Sequence, residues 1–119
     1  MAEVRQFLAA AVDRCRRAGI ADERLVVDPG FGFGKTLEHN LALLRRIKAV
    51  TIDDLPLLAG LSRKSMLGAI TKRPVEERLA ASVAAAVLAA DRGARILRVH
   101  DVAATRDGLA VWSAIQQGD

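Results

Sequence analysis

The chain alternates amphipathic segments with short apolar runs, a pattern that predicts alternating helices and strands. Apolar side chains recur at helical spacing over residues 3–18, and Gly19 follows as a stop signal. The apolar run at residues 25–27 predicts a strand, because the turn residues 28–30 follow it directly. Residues 37–48 return to helical spacing and predict a second helix.

The same alternation repeats in the second half of the chain. An apolar run at residues 56–61 predicts a second strand, and the Ala-rich stretch from Val75 to Asp91 predicts a long helix. Residues 94–99 predict a third strand, and a last helix carries apolar residues over 109–115. The predicted order is α-β-α-β-α-β-α, with three strands and four to five helices.

Strands that alternate with helices favour parallel βα units and hence an α/β fold. A polar residue lies at the end of each predicted strand: Asp28, Ser62 and Arg98. Because the carboxyl ends of parallel strands share one edge of a sheet, we expect a site at that edge. Three strands leave both edges of the sheet open, so residues 1–119 are expected to form one partial domain of a larger unit.

Composition places the chain among globular proteins. Of its 119 residues, 51% are hydrophobic and 27% are charged, which favours a packed core over disorder. Cys15 is the only cysteine, so an internal disulfide and a cysteine-based zinc site are excluded. The longest apolar run, Val83–Ala90, is too short to span a bilayer, and the first residues do not resemble a signal peptide. We therefore expect a soluble cytoplasmic protein without a membrane partner.

The charge balance favours a small ligand. The net charge of +4 comes from 18 Lys and Arg against 14 Asp and Glu, scattered along the chain. With three Phe, one Trp and no Tyr, the chain offers few rings on which nucleic-acid bases could stack. A small anion therefore fits this mild excess of positive charge better than a nucleic acid does.

The segment from Asp28 to Thr36 is rich in glycine and ends in Gly-Lys-Thr. It departs from the P-loop pattern, because Pro29 occupies the position that requires the first glycine of that motif. The alternative is that the glycines form only a flexible turn. The Asp28 carboxylate either accepts two parallel hydrogen bonds from a planar, guanidine-like heterocycle or caps the following turn.

Two further groups of polar residues favour an anion. Ser62–Ser65 places two cations and two hydroxyl groups after the second strand, at the start of a helical turn. Arg98 and His100 alternate with Val99, so both point to the same side of the third strand and suit a phosphate group. The alternative for Ser62–Ser65 is a solvated, charged strand end, and the alternative for His100 is a structural histidine.

Three strings of residues closely resemble dihydropteroate synthase, a family of folate-biosynthesis enzymes: Leu25–Lys35, Gly60–Ser65 and Arg98–Val102. The resemblance covers essentially the whole chain. It implies a (β/α)8 barrel, of which this chain corresponds to the C-terminal part, from the helix before strand six to the end of strand eight and its helix. Related pterin-binding methyltransferases share the barrel and a similar turn, whereas the second and third strings point to the synthase.

The resemblance also implies a reaction and a set of site residues. In the family, p-aminobenzoate attacks a dihydropterin pyrophosphate, which gives dihydropteroate and releases pyrophosphate. The implied residues are Asp28 and Lys64 for the pterin, with Lys64 also catalytic; Phe33, Arg63 and Ser65 for p-aminobenzoate, where sulfonamides compete; and Arg98 and His100 for the phosphates. Mg²⁺ is implied with the pyrophosphate, on a ligand outside this chain. A homodimer through the last helices and a separate N-terminal half are the implied protein partners.

Three hypotheses remain open at this point. The first is a dihydropteroate synthase segment that carries part of the active site. The second is a non-catalytic chain, either a truncated product or an assembly module that pairs through its open sheet edges. The third is a fragment of a pterin-binding methyltransferase barrel, which would prefer methyltetrahydrofolate to a pterin pyrophosphate.

Overall fold

The computed structural model describes residues 1–118, in which five α-helices surround a small parallel sheet. The helices are α1 (Ala2–Arg17), α2 (Leu37–Arg45), α3 (Ser65–Thr71), α4 (Leu79–Asp91) and α5 (Val102–Gln116), and the strands are β1 (Leu58–Ala59) and β2 (Ile96–Leu97). Short 3-10 helices at Asp22–Arg24, Ile47–Val50 and Val75–Glu77 lie in the connections. The predicted α/β class is confirmed, and the elements follow the predicted order.

The strand segments are parallel, as predicted, but shorter than the apolar runs that predicted them. The paired residues are Val27 with Leu57 in an isolated bridge, then Leu58 with Ile96 and Ala59 with Leu97 between β1 and β2. The first predicted strand is thus reduced to a single bridge. Pro56 and Pro29, which flank this pairing, lack the N–H groups that would extend the ladder.

Two helices differ from their predicted bounds. Helix α2 begins after Thr36, whose Oγ1 accepts a hydrogen bond from the His39 N–H at 3.1 Å, and it tightens into a 3-10 helix at Ile47–Val50. The predicted helix over 75–91 is interrupted at Arg78, so that only its later part is α-helical. The turn predicted after Lys64 is a complete helix, α3.

The hydrophobic core lies between one face of the sheet and helices α1, α2, α3 and α4. Its largest fully buried side chains are Phe31, Leu43, Ile47, Leu57 and Val50. Ala85 and Ala89 of α4 are small enough to let that helix approach the core closely. Helix α5 approaches α4 through Gly108, where a Cβ atom would lie 2.9 Å from Cγ1 of Val83.

The other face of the sheet is uncovered. Val26 and Ile96, whose side chains lie on this face, are 46% and 38% exposed. In barrels of parallel strands this is the face that fills the interior. Among residues 1–118 no helix has both the length and the apolar character needed to cross a bilayer.

Candidate active site

The C-terminal ends of the parallel segments meet at one edge of the sheet and bring polar residues together. The Arg98 side chain, after β2, extends across Gly60, after β1, and its Nη1 lies 3.2 Å from Oδ2 of Asp28. Gly60 makes this crossing possible, because a Cβ atom there would lie 2.6 Å from Nη2 of Arg98. Both side chains remain partly exposed, so a ligand can reach the pair.

Residues 30–34, here called the glycine loop, form one wall of the site. Gly30 and Gly32 have φ angles of +74° and +90°, a region that favours glycine. The Gly30 N–H donates to Oδ1 of Asp28 and the Gly32 N–H donates to Oδ1 of Asn40, each at 2.9 Å. Asn40 is only 3% exposed and supports the loop from inside α2. Asp28 thus caps the turn with one oxygen and contacts Arg98 with the other.

Lys64 connects this wall to the neighbouring strand end. Its Nζ donates to the Phe31 carbonyl oxygen at 2.6 Å and lies 5.0 Å from the centre of the Phe33 ring. Burial of the ammonium group, and next the positive charge of Arg98, lower the pKa of Lys64, while Asp28 acts in the opposite direction. A bound anion would compensate this concentration of positive charge.

Residues 62–65, here called the strand-end loop, are held in place by α4. Arg63 has a φ of +59°, unusual for a residue with a side chain. Its N–H donates to Oγ of the buried Ser82, and its carbonyl oxygen accepts from Nη1 of Arg78, both at 2.9 Å. Arg78 reaches this carbonyl across Gly68 of α3, which leaves room for the guanidinium. Ser65, the exposed first residue of α3, is presented at the site by this arrangement.

The remaining charged and polar groups of this edge also have defined partners. Oγ of Ser62 lies 2.8 Å from Nδ1 of His100 and accepts from the His100 backbone N–H at 3.3 Å. The Arg63 guanidinium forms a salt bridge with Asp101, with Nη2 and Oδ1 3.2 Å apart. The ring of His100 is therefore oriented by Ser62, and the guanidinium of Arg63 by Asp101.

The structure brings some of the predicted site residues together and leaves others apart. Asp28, Phe33, Lys64 and Arg98 form one connected cluster around the glycine loop. The predicted phosphate pair is less direct, because the Arg98 guanidinium contacts Asp28 whereas His100 contacts Ser62. A ligand that uses Arg98 must compete with, or share, its ion pair.

Four residues that shape the site are not predicted by the sequence. They are Gly60, Asn40, Arg78 and Ser82, which act through the backbone or through site residues. Two of them could have been found from the sequence, because each is a polar residue at a position whose pattern indicates burial. Asn40 lies at helical spacing on the apolar face of α2, and Ser82 is a lone hydroxyl residue within the alanine-rich stretch of α4. Arg78 and Gly60 could not have been found in this way, because their partners are distant in sequence.

The acidic groups of this edge do not form a metal site by themselves. Within residues 1–118 no three His, Cys, Asp or Glu side chains lie close enough to hold a metal ion. Asp28 is already engaged by the Gly30 N–H and by Arg98. The described acidic residues of this edge therefore do not fit a resident metal ion.

The sheet edge carries an Asp–Arg pair, a lysine and an exposed phenylalanine, side chains that can accept, donate and stack. The family model described as pterin binding enzyme matches residues 1–100. The chain therefore belongs to the pterin binding enzyme family.

Within this family the chain is similar to several dihydropteroate synthases. The enzyme of Haemophilus influenzae is 50% identical over 112 residues, which cover 94% of this chain and 41% of that protein. The crystal structure of the Burkholderia cenocepacia enzyme with 7,8-dihydropteroate superposes with a TM-score of 0.93 at 54% identity, covering 97% of this chain and 44% of that one. For the Xanthomonas albilineans enzyme with 4-aminobenzoic acid, the TM-score is 0.96 at 50% identity, with 99% and 44% covered. The chain thus spans less than half the length of these relatives.

Proposed function

We propose that this chain supplies the C-terminal part of a dihydropteroate synthase active site. The reaction joins p-aminobenzoate to the methylene carbon of a dihydropterin pyrophosphate and releases pyrophosphate. The observation that carries the proposal is the convergence of Asp28, Lys64 and Arg98 at one sheet edge, in a chain about 50% identical to synthases of this name.

The pterin would bind between Asp28 and Lys64. A carboxylate that faces a planar heterocycle can accept two parallel hydrogen bonds from it, and Oδ2 of Asp28 already accepts from the planar guanidinium of Arg98. The pterin ring would replace that guanidinium and release Arg98 for the phosphates. Lys64, with an ammonium group beside the same cluster, would donate to the ring and lie next to the reacting carbon.

Phe33, Arg63 and Ser65 would border the p-aminobenzoate. Phe33 is 72% exposed and lies against the Lys64 ammonium, so its ring is available to cover an aromatic substrate. An aniline amine is already nucleophilic, so the reaction needs orientation of two substrates more than it needs a general base. The presentation of Ser65 and Arg63 by α4 suits that requirement. Sulfonamides, which resemble p-aminobenzoate, would compete here.

Arg98 and His100 would bind the departing pyrophosphate. They lie on either side of Val99, just beyond the β2 segment, where a cation and an N–H group could stabilise the charge that develops on the leaving group. Mg²⁺ would arrive with the pyrophosphate and be held by a ligand outside this chain. The residues of this chain act on the phosphate oxygens themselves.

The uncovered surfaces support two proposed protein partners. The exposed sheet face at Val26 and Ile96 suits the remaining strands of a barrel, supplied by an N-terminal half. The exposed apolar residues Leu88, Val111 and Ile115 on α4 and α5 suit a homodimer formed through these helices. We also place the protein in the cytoplasm, because its single cysteine, Cys15, is free.

A complementation assay tests this function. The chain is mixed with the N-terminal barrel segment of a dihydropteroate synthase, and dihydropteroate formation from p-aminobenzoate and dihydropterin pyrophosphate is followed with Mg²⁺. We expect turnover only when both parts are present, and none when the chain carries Lys64→Ala. A folded pair that binds the pterin without turnover would favour the alternative function, a non-catalytic assembly chain. The open sheet face supports that alternative, because it offers a surface for pairing with another chain.

A further inference from the structure

We propose that Ser62 is a positioning residue that makes His100 present its Nε2–H group to an anionic ligand. Ser62 begins the strand-end loop, and His100 lies two residues beyond Arg98 on the neighbouring strand segment. Oγ of Ser62 lies 2.8 Å from Nδ1 of His100. The role of the anion rests on the phosphate-binding function proposed above, whereas the effect of Ser62 on the imidazole does not.

The Ser62 hydroxyl has one proton to donate and two lone pairs that accept hydrogen bonds. The His100 backbone N–H donates to Oγ at 3.3 Å and uses one lone pair. Ser62 is only 8% exposed, and among residues 1–118 Nδ1 of His100 is the acceptor that its hydroxyl reaches. Because a buried hydroxyl proton without an acceptor is unfavourable, the O–H group donates to Nδ1.

The consequence concerns the other ring nitrogen of His100. When Nδ1 accepts a hydrogen bond, the neutral imidazole carries its proton on Nε2. Within the described part of the chain Nε2 forms no hydrogen bond to protein, and His100 is exposed, so this N–H group faces solvent and ligand. An unprotonated Nε2 would direct a lone pair at an anion and repel it. Ser62 thus makes His100 a hydrogen-bond donor without requiring a positive charge on the ring.

The tautomer can be measured directly, since the full chain contains two histidines. Long-range ¹H–¹⁵N correlation spectra of ¹⁵N-labelled chain are recorded at about pH 8.5, where an ordinary imidazole is neutral. His39, exposed on α2, is the internal reference. We expect the ratio of the Nδ1–H form to the Nε2–H form to be about fivefold lower in His100 than in His39. A proton on Nδ1 of His100, or equal ratios in the two residues, overturns the proposal without any variant.

Two variants extend the test. Ser62→Ala, checked for folding by circular dichroism, should bring the His100 ratio to that of His39 and weaken binding of inorganic pyrophosphate about fivefold. Ser62→Thr keeps the hydroxyl and should keep both properties. An unchanged tautomer ratio in folded Ser62→Ala overturns the proposal. A wild-type chain with the expected tautomer that binds no pyrophosphate supports the role of Ser62 and counts against the phosphate-binding function.

Discussion

At the scale of single residues, the site depends on one position that has no side chain. Gly60 lies under the Arg98 guanidinium, and a methyl group there would meet Nη2 at 2.6 Å and Cζ at 3.0 Å. The atoms that must move belong to the end of a flexible side chain, so the backbone can stay in place. The contact between Arg98 and Asp28 therefore responds to this position more strongly than the fold does.

We expect Gly60→Ala to weaken binding of dihydropterin pyrophosphate about tenfold, because the displaced Arg98 guanidinium would no longer be aligned for charge-assisted hydrogen bonds to the phosphates. The free energy of unfolding should change by less than about 1 kcal/mol. Calorimetric titration and urea unfolding measure the two quantities. Gly118→Ala, where a Cβ atom would make only ordinary contact with a helix carbonyl, is the matched control. Unchanged affinity in Gly60→Ala would show that the position of the Arg98 side chain over Gly60 does not affect ligand binding.

The lowered pKa of Lys64 predicts how the stability of the chain depends on pH. The pKa of Lys64 is lowered mainly by burial and then by Arg98, so the folded chain gives up this proton at lower pH than the unfolded chain does. Between the lowered and the ordinary pKa the unfolded state holds more protons, and stability rises with pH. The destabilising contribution is full below the lowered pKa and disappears above the ordinary one.

Urea unfolding of the wild type and of Lys64→Met from neutral pH into the ordinary lysine range checks this sign. We expect the wild type to gain stability relative to the variant as the pH rises. Contributions from all other titrating groups cancel to first order in the difference between the two proteins. A difference that is constant with pH would contradict the assignment of a desolvated ammonium group at this position.

At the scale of elements, α4 has two tasks: it packs against the core through alanines, and it holds the strand-end loop through Ser82. The Ser82 hydroxyl is the acceptor for the Arg63 N–H, in a segment whose φ is positive. Removing the acceptor leaves this partly buried N–H group without its partner.

We expect Ser82→Ala to destabilise the chain by about 1–2 kcal/mol, because of this unpaired N–H group. It should also weaken p-aminobenzoate binding in the complemented barrel, since the loop carries Arg63 and Ser65. Ser113→Ala is the matched control, because Ser113 is a helical serine whose hydroxyl accepts a hydrogen bond from an exposed glutamine, Gln117. Chemical denaturation gives the first effect and the Michaelis constant for p-aminobenzoate the second. Equal stability of the two variants would contradict the support by α4.

Elements were predictable where the signal is local. The spacing of apolar residues located α1, α2 and α5, and the apolar runs located the strand segments. The interruption at Arg78 was not predictable, because it accompanies contacts of that side chain with the Arg63 carbonyl and with Gly68, which are brought close only by the fold. The strands are shorter than predicted because an apolar run does not reveal how far its neighbours pair.

The candidate site was likewise predictable where the signal is local, and not where it depends on contacts formed by the fold. That Asp28, Lys64 and Arg98 would meet was predictable, since each lies at or just beyond the carboxyl end of a parallel strand segment. That Arg98 would pair with Asp28, and His100 with Ser62, was not, because such pairing depends on side-chain conformations across strands. The sequence therefore predicted which of these residues meet at the sheet edge, and the structure shows the contacts between them.

At the scale of the whole molecule, the chain combines a completed site edge with an incomplete barrel. The carboxyl ends of the strand segments already carry their polar contacts, while Val26 and Ile96 leave the inner sheet face open. Under the proposed function, binding of pterin and phosphate would depend on the site edge, and turnover would depend on completion of the barrel. The two properties can therefore be separated by experiment.

The most direct test of the central claim is calorimetric titration of the folded chain with dihydropterin pyrophosphate and Mg²⁺, with ATP as the control ligand. The variants are Arg98→Ala and Arg95→Ala, the latter an exposed arginine at the opposite end of β2. We expect the wild type and Arg95→Ala to bind the pterin ligand equally and to ignore ATP, and Arg98→Ala to bind at least about tenfold more weakly. Equal binding by Arg98→Ala, or no binding by a folded wild-type chain, would contradict the assignment of this sheet edge as a pterin and phosphate site.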